Sequence, residues 1–200
     1  MRSSPATPLA VQFVVGVTPG KWARVWAERM PRHPLHLTQS EPAEVLKALR
    51  RGEAHVAFLR DPVSTEEFNR IVLYTELPVV VAPKGHLFEA TDVVAASDLA
   101  AETVLTDAWP LAVELVAANV GVAVMPQSVA RALSRRDVIV RPYREGAAGD
   151  TGAGDPAAGH AETTVALVWL RDPRAEPLAS LIQEFVGVVR GRTANSSRGG

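Results

Sequence analysis

Two hundred residues suffice for one ordinary domain or for two small lobes on one chain, and 47% hydrophobic against 22% charged residues is the balance of a globular protein with a sizeable core. A net charge of −1 and a pI near 6.5 argue against a domain that grips nucleic-acid phosphates, which needs clustered basic charge, but leave room for binding a small anion. There is no cysteine, which excludes disulfides, thiolate metal sites and cysteine nucleophiles.

Along the chain, Arg2 precedes a mildly apolar run, but Gln12 interrupts it and Pro5 and Pro8 stand in front. It reads as a first strand, Val11 to Val17, rather than a secretory signal. Its valine content suits a strand buried on both faces. Thr18-Pro19-Gly20 then supplies a turn with a helix-start residue, and Lys21 to Met30 is helical in composition until Pro31 and Pro34 stop it. Leu35 to Gln39 reads as a short second strand. Ser40 is a good N-cap for a helix over Ala43 to Arg51, with Val45, Leu46 and Leu49 on one face and Gly52 as terminator. Ala54 to Leu59 is the third strand. Two strand–helix–strand units joined by short turns predict a parallel sheet with right-handed crossovers.

After the polar connection Arg60 to Asn69, the apolar run Ile71 to Pro83 is broken by Glu76 and Pro78. Proline removes a ladder donor, so the run predicts two strands meeting at a bend. Thr91 to Ala101 reads as a short capped helical segment and Thr103 to Thr106 as a strand. Leu111 to Ala118 reads as a helix with Asn119 at a left-handed cap, Val122 to Met125 as a buried strand, Pro126 to Leu133 as a helix and Val138 to Arg141 as a strand. Residues 146–161 are low in complexity, with five glycines, and predict a solvated loop. Thr163 to Leu170 is a clear strand. Pro177 to Val189 is a helix whose apolar residues Leu178, Leu181, Ile182, Phe185, Val186 and Val189 follow helical spacing. The tail 191–200 is polar, and disorder is expected there. No stretch approaches ~18 uninterrupted apolar residues, so the cytoplasm is the expected compartment.

Three stretches resemble the effector domain of LysR-type transcriptional regulators: Glu67 to Phe88 (EFNRIVLYTELPVVVAPKGHLF), Leu111 to Pro126 (LAVELVAANVGVAVMP), and Glu162 to Asp172 (ETTVALVWLRD) before an amphipathic helix. With the opening strand and helix, the resemblance spans most of residues 9–190. It implies an α/β, two-lobe, type 2 periplasmic-binding-like fold with parallel sheets flanked by helices. Lobe I is expected over 9–102 with a return over 163–190, and lobe II over 103–162. The family's winged helix-turn-helix is not seen ahead of the first strand. Only Ala-Trp-Pro stands between Asp107 and Leu111, where the family would insert a helix and a strand, so a shortened second lobe is expected.

Strand carboxyl ends form the ligand crevice of such folds, and a helix start there offers unpaired N–H groups and a positive dipole end to a carboxylate. That makes Thr18, Pro19, Gly20 and Lys21 the first ligand-binding candidates, the alternative being plain helix capping. Arg60 with Asp61, Thr106, Asp107 and Trp109, and Met125, Pro126 and Gln127 are candidates by position at strand ends, though many such residues only terminate strands. Trp109 stacks on a planar ligand or plugs the lobe. Trp22 and Trp26 lie one helical turn apart with Arg29 near the same stripe. The resemblance implies a homodimer through this helix, whereas the plain reading has both rings covering the sheet. The five histidines, His33, His36, His55, His86 and His160, lack metal-ligand spacing, and no cofactor motif or catalytic signature stands out.

The resemblance therefore implies a small-molecule sensor module for an anionic metabolite, a homodimer without sequence-specific DNA binding of its own. Two other readings stay open: an enzyme on the same fold, similar to short-form ATP phosphoribosyltransferase or prephenate dehydratase, and an interaction protein acting through its C-terminal tail.

Overall fold

The computed structural model describes residues 8–60, 63–106, 108–144, 163–172 and 178–191. Asp61, Asp107, the low-complexity segment 146–161 and the tail from 192 lie outside the described residues. The chain divides into two units, residues 1–73 with 165–200 and residues 74–164.

The first unit is built on a five-stranded sheet. Strands β1 (Leu9–Phe13), β2 (Leu35–Gln39) and β3 (Val56–Arg60) are joined by helices α1 (Gly20–Arg29) and α2 (Pro42–Arg51). β1 pairs in parallel with both β2 and β3. Strand β4 (Phe68–Glu76) is at the other edge and β9 (Thr163–Leu170) lies between β3 and β4, giving the order β2-β1-β3-β9-β4. β9 runs antiparallel to β3, so the sheet is mixed, where the sequence pattern predicted a parallel one. A buried valine-rich segment reads alike for either direction, because both faces of the strand are covered.

The core of this unit unites Leu9 and Val11 of β1, Val56 to Leu59 of β3 and Val165 to Trp169 of β9 with one face of each helix. Val45, Ala48 and Leu49 are the buried face of α2. Helix α5 (Leu178–Val189) buries Leu181, Ile182, Phe185, Val186 and Val188. Gly52 ends α2 at φ 74°, and its N–H reaches back to the Ala48 and Leu49 carbonyls. Neither Thr18 nor Ser40 caps a helix: α1 starts from Pro19 and α2 from Glu41, both without a side-chain cap bond.

The second unit holds a four-stranded sheet, order β6-β8-β5-β7. Its central strand β5 (Pro78–Pro83) pairs antiparallel with β7 (Ala123–Pro126) and with β8 (Val138–Arg144), while the two-residue β6 (Val94–Ala95) runs parallel to β8. Helices α3 (Trp109–Ala117) and α4 (Gln127–Ala132) accompany it. Val80, Ala82, Phe88, Val94, Leu99, Val122, Val124 and Tyr143 form a core cluster. Asn119 sits at φ 61° after α3, the left-handed position expected of it.

Three boundaries differ from the sequence reading. The break at Leu77, between β4 and β5, falls where Pro78 predicted it, but the chain enters the second unit at Tyr74 rather than at Thr103. The run after Pro78 is the centre of the second sheet, so that unit is larger than the shortened segment expected. Thr103 to Thr106 forms no strand beyond the single parallel bridge Val104–Val122. The segment 91–101 supplies β6 and one 3-10 turn, Ala96–Ala101, rather than one helical piece; Asp98 Oδ2 closes that turn by accepting from the Ala95 N–H at 2.8 Å. Among the described residues, no helix is long and apolar enough to cross a membrane.

Candidate functional site

In the first unit the chain leaves β1 through a tight connection. The Val14 amide still donates to the Phe58 carbonyl at 3.3 Å, and the Val17 amide then donates to the Val14 carbonyl at 3.2 Å. Helix α1 begins directly beyond. The first helical bonds run from the Trp22 and Ala23 amides to the Pro19 carbonyl, each at 3.0 Å. The Gly20 and Lys21 amides meet no acceptor among the described residues, the usual state of first-turn donors. Thr18, Gly20 and Lys21 are exposed, whereas Pro19 is buried.

The packing beneath fixes this helix start. The Trp22 ring stacks on Phe58 of β3 with centroids 4.8 Å apart and planes 13° from parallel, and Trp26 meets Phe185 of α5 edge-on at 5.6 Å. The Trp26 indole Nε1 donates to the His33 carbonyl at 2.7 Å. Both indoles are core residues, 8% and 1% exposed, so they cover the sheet, whereas Arg29 remains exposed. The Lys21 ammonium lies 4.4 Å from the centroid of the Trp22 ring, which holds its charge beside the helix start.

Because β3 is parallel to β1, its last residue, Arg60, comes up beside the same connection. The Arg60 Nη1 donates to the Val15 carbonyl at 2.6 Å, a bridge across 45 residues of sequence. Thr18, Gly20, Lys21 and Arg60 thus share the carboxyl ends of two adjacent parallel strands. This local arrangement concentrates two unpaired amides, a hydroxyl, an ammonium and a guanidinium, a donor set with the chemistry to take an anion.

The second unit repeats the logic on a smaller scale. The Leu105 amide donates to the Val122 carbonyl and the Val122 amide to the Thr103 carbonyl, at 2.8 and 2.9 Å. Thr106 is exposed at the end of that bridge. Met125 is 1% exposed inside β7, so its side chain belongs to the core. Gln127, half-buried, opens α4, and its amide donates to the Leu77 carbonyl at 3.0 Å. Trp109 is half-buried at the start of α3.

One residue at this end of the unit escaped the sequence reading. Glu76 is a buried carboxylate, 6% exposed, that accepts from the Ser128 hydroxyl and, at 3.2 Å, from the Thr163 hydroxyl. It ties the end of β4 to the first turn of α4 and the first residue of β9. The signal was its place as a lone carboxylate inside the apolar run 71–83; a buried charge requires partners, and these lie 52 and 87 residues away.

Against known proteins, residues 20–110 match the model of the LysR substrate binding domain. No curated protein sequence matches the chain. Among solved structures, the reduced OxyR regulatory domain from Pseudomonas aeruginosa superposes with a TM-score of 0.66 at 18% identity, covering 98% of this chain and 100% of that one. The oxidised form of OxyR gives a TM-score of 0.69 at 18% identity, over 94% of this chain and 96% of that one. Full-length BenM carrying the E226K mutation gives 0.67 at 17% identity, over 96% of this chain and 71% of its own. At these identities the structural likeness establishes the fold. Residues 20–110 thus match the LysR substrate binding domain, and the α/β two-sheet fold of the chain is similar to that of the OxyR and BenM structures.

Proposed function

We propose that this chain is the effector-sensing module of a LysR-type system and that its effector is a small anion, in keeping with a carboxylate-bearing metabolite. The observation that carries this reading is the start of α1: two amides without acceptors among the described residues, Thr18 and Lys21 beside them, and Arg60 brought alongside from β3. Helix dipole and ammonium act with the same sign at that point, and both favour a negative ligand. Within the second unit taken by itself, Thr106, exposed beyond the Val104–Val122 bridge, and Gln127, at the start of α4, are proposed as ligand-binding groups. Met125 is retained only through its backbone.

The oxidised and reduced forms solved for OxyR belong to that protein. With no cysteine, this chain has no thiol to take through a redox cycle, which supports sensing by reversible binding. A homodimer in the cytoplasm, without sequence-specific DNA contact by this chain alone, is part of the same proposal. The enzyme alternative is kept as an outcome of the test below.

A thermal-shift screen of the full chain against small carboxylates tests the reading. A ligand at one hundred times its Kd stabilises by about 2.7 kcal/mol, which is a rise of roughly 5–10 °C at this chain length. Lys21→Ala and Thr18→Ala should each abolish most of that rise while leaving the ligand-free melting temperature in place. Ligands that stabilise both variants as well as the parent would refute the assignment, and turnover of the ligand would move the chain to the enzyme class.

A further inference from the structure

A second place on the molecule collects positive charge with nothing assigned to it. An open depression of about 990 Å³ lies wholly within the second unit. Its wall combines the turn after β5, the end of α3 and the loop between α4 and β8, and presents Lys84, His86, Asn119, Arg135, Arg136 and Asp137. Three cations and one carboxylate therefore line it, although the chain as a whole carries a net charge of −1.

The groups in this wall fall into two sets. Arg135 is a fixed strut: its Nε and Nη2 donate to the two oxygens of Asp137 at 2.9 Å each, and its Nη1 donates to Glu114. The Lys84 amide donates to the Asp137 carbonyl at 2.9 Å, which ties the turn to the loop. His86 is committed as well, with Nδ1 accepting from the Phe88 amide at 3.2 Å and Nε2 lying 3.4 Å from Glu102. The Lys84 ammonium, the Arg136 guanidinium and the Asn119 carboxamide, by contrast, have no hydrogen-bond, ionic or ring partner among the described residues. The one carboxylate of the wall is taken by Arg135. Three donor groups on a braced frame around one hollow lack only an acceptor.

We propose that this depression binds a multiply charged small anion, one whose phosphate or carboxylate oxygens are shared between Lys84, Arg136 and Asn119. The volume admits a molecule of metabolite size rather than a single inorganic ion. The charge-assisted bonds from an ammonium and a guanidinium supply the recognition, and Asn119 adds a neutral donor at its left-handed turn. The site lies in the second unit and is separate from the donor set at the start of α1.

The test is calorimetry and amide chemical-shift mapping on the full chain at low ionic strength, with inorganic pyrophosphate in one arm and citrate in the other. Saturable binding of either should move the amides of Lys84, Gly85, Asn119 and Arg136 first. The stronger arm tells whether phosphate or carboxylate is the better fit. Lys84→Ala and Arg136→Ala should each weaken binding about tenfold or more, and the pair should abolish it. Asn119→Asp keeps a residue tolerant of positive φ while adding a repelling charge, and should weaken binding too. Lys84→Arg should restore most of the affinity, and Lys47→Ala, at an exposed lysine of α2, should leave it unchanged. Absence of saturable binding in both arms, shifts centred elsewhere, or undiminished affinity in the double variant would overturn the proposal.

Discussion

Consider Gly121→Ala. A methyl group built on Gly121 would collide with the Thr103 carbonyl oxygen and stand 3.1 Å from the Thr103 Cβ and 3.2 Å from its carbonyl carbon. The obstacle is backbone, and that backbone is held in place: the same oxygen accepts from the Val122 amide at 2.9 Å, and the Leu105 amide donates to the Val122 carbonyl at 2.8 Å. Together these bonds form the Val104–Val122 bridge that attaches the segment before α3 to the end of the second sheet. Making room requires the two strands to part. Overpacking of this kind costs about 1–3 kcal/mol, and straining two backbone hydrogen bonds adds roughly 1 kcal/mol. A destabilisation of about 2–4 kcal/mol lowers the melting temperature by roughly 4–16 °C at this chain length. Trp109, the one tryptophan of the second unit, reports the change by fluorescence alongside calorimetry. Gly20→Ala is the matched control. No atom lies within 4 Å of its added methyl, and at the first position of α1 alanine should be neutral or stabilising by up to about 1 kcal/mol. A Gly121→Ala protein that melts within 1 °C of the parent would show that the Thr103 carbonyl moves aside without cost, against the clash expected here.

Two further outcomes follow from the first unit. Trp26→Ala removes a ring 1% exposed, with its Phe185 contact and its bond to the His33 carbonyl, and should destabilise by about 3–5 kcal/mol in urea titration; Trp26→Phe should recover more than half of that loss. His55 accepts at Nδ1 from the Ala10 amide at 3.1 Å, and burial pushes its imidazole below the usual histidine range. The unfolded chain therefore binds a proton that the folded chain resists. The contribution of His55 is complete above the unfolded value of about 6.5 and is lost as pH falls below it. Urea midpoints at pH 8 and pH 5.5 should drop less in His55→Gln than in the parent, and an identical drop in both would count against this role.

How much of this was legible beforehand can be traced residue by residue. Local rules located Gly52 and Asn119 at positive φ, the break before Pro78, and the helical faces of α2 and α5, because each depends on neighbours within one or two turns. Candidate residues at strand ends were read from topology alone, and Thr18 to Lys21 stand at a helix start whose first two amides meet no acceptor among the described residues. Met125, Trp22 and Trp26 were harder to place. An apolar residue at the end of a strand has the same letter whether it faces a ligand or the core, and burial decides against the ligand for Met125 and against an outward face for the two indoles.

The segments and their local geometry follow from the amino-acid order alone, since backbone sterics, proline's missing donor and side-chain periodicity act within short spans of chain. It took the folded chain to set β9 antiparallel to β3, to make β5 an inner strand of the second sheet, and to bring Glu76 to Ser128 and Thr163. Those facts come from groups far apart in the chain, from Val81 with Ala123 to Ala57 with Val168, competing for the same hydrogen bonds and the same buried surface. Only the folded chain carries out that competition.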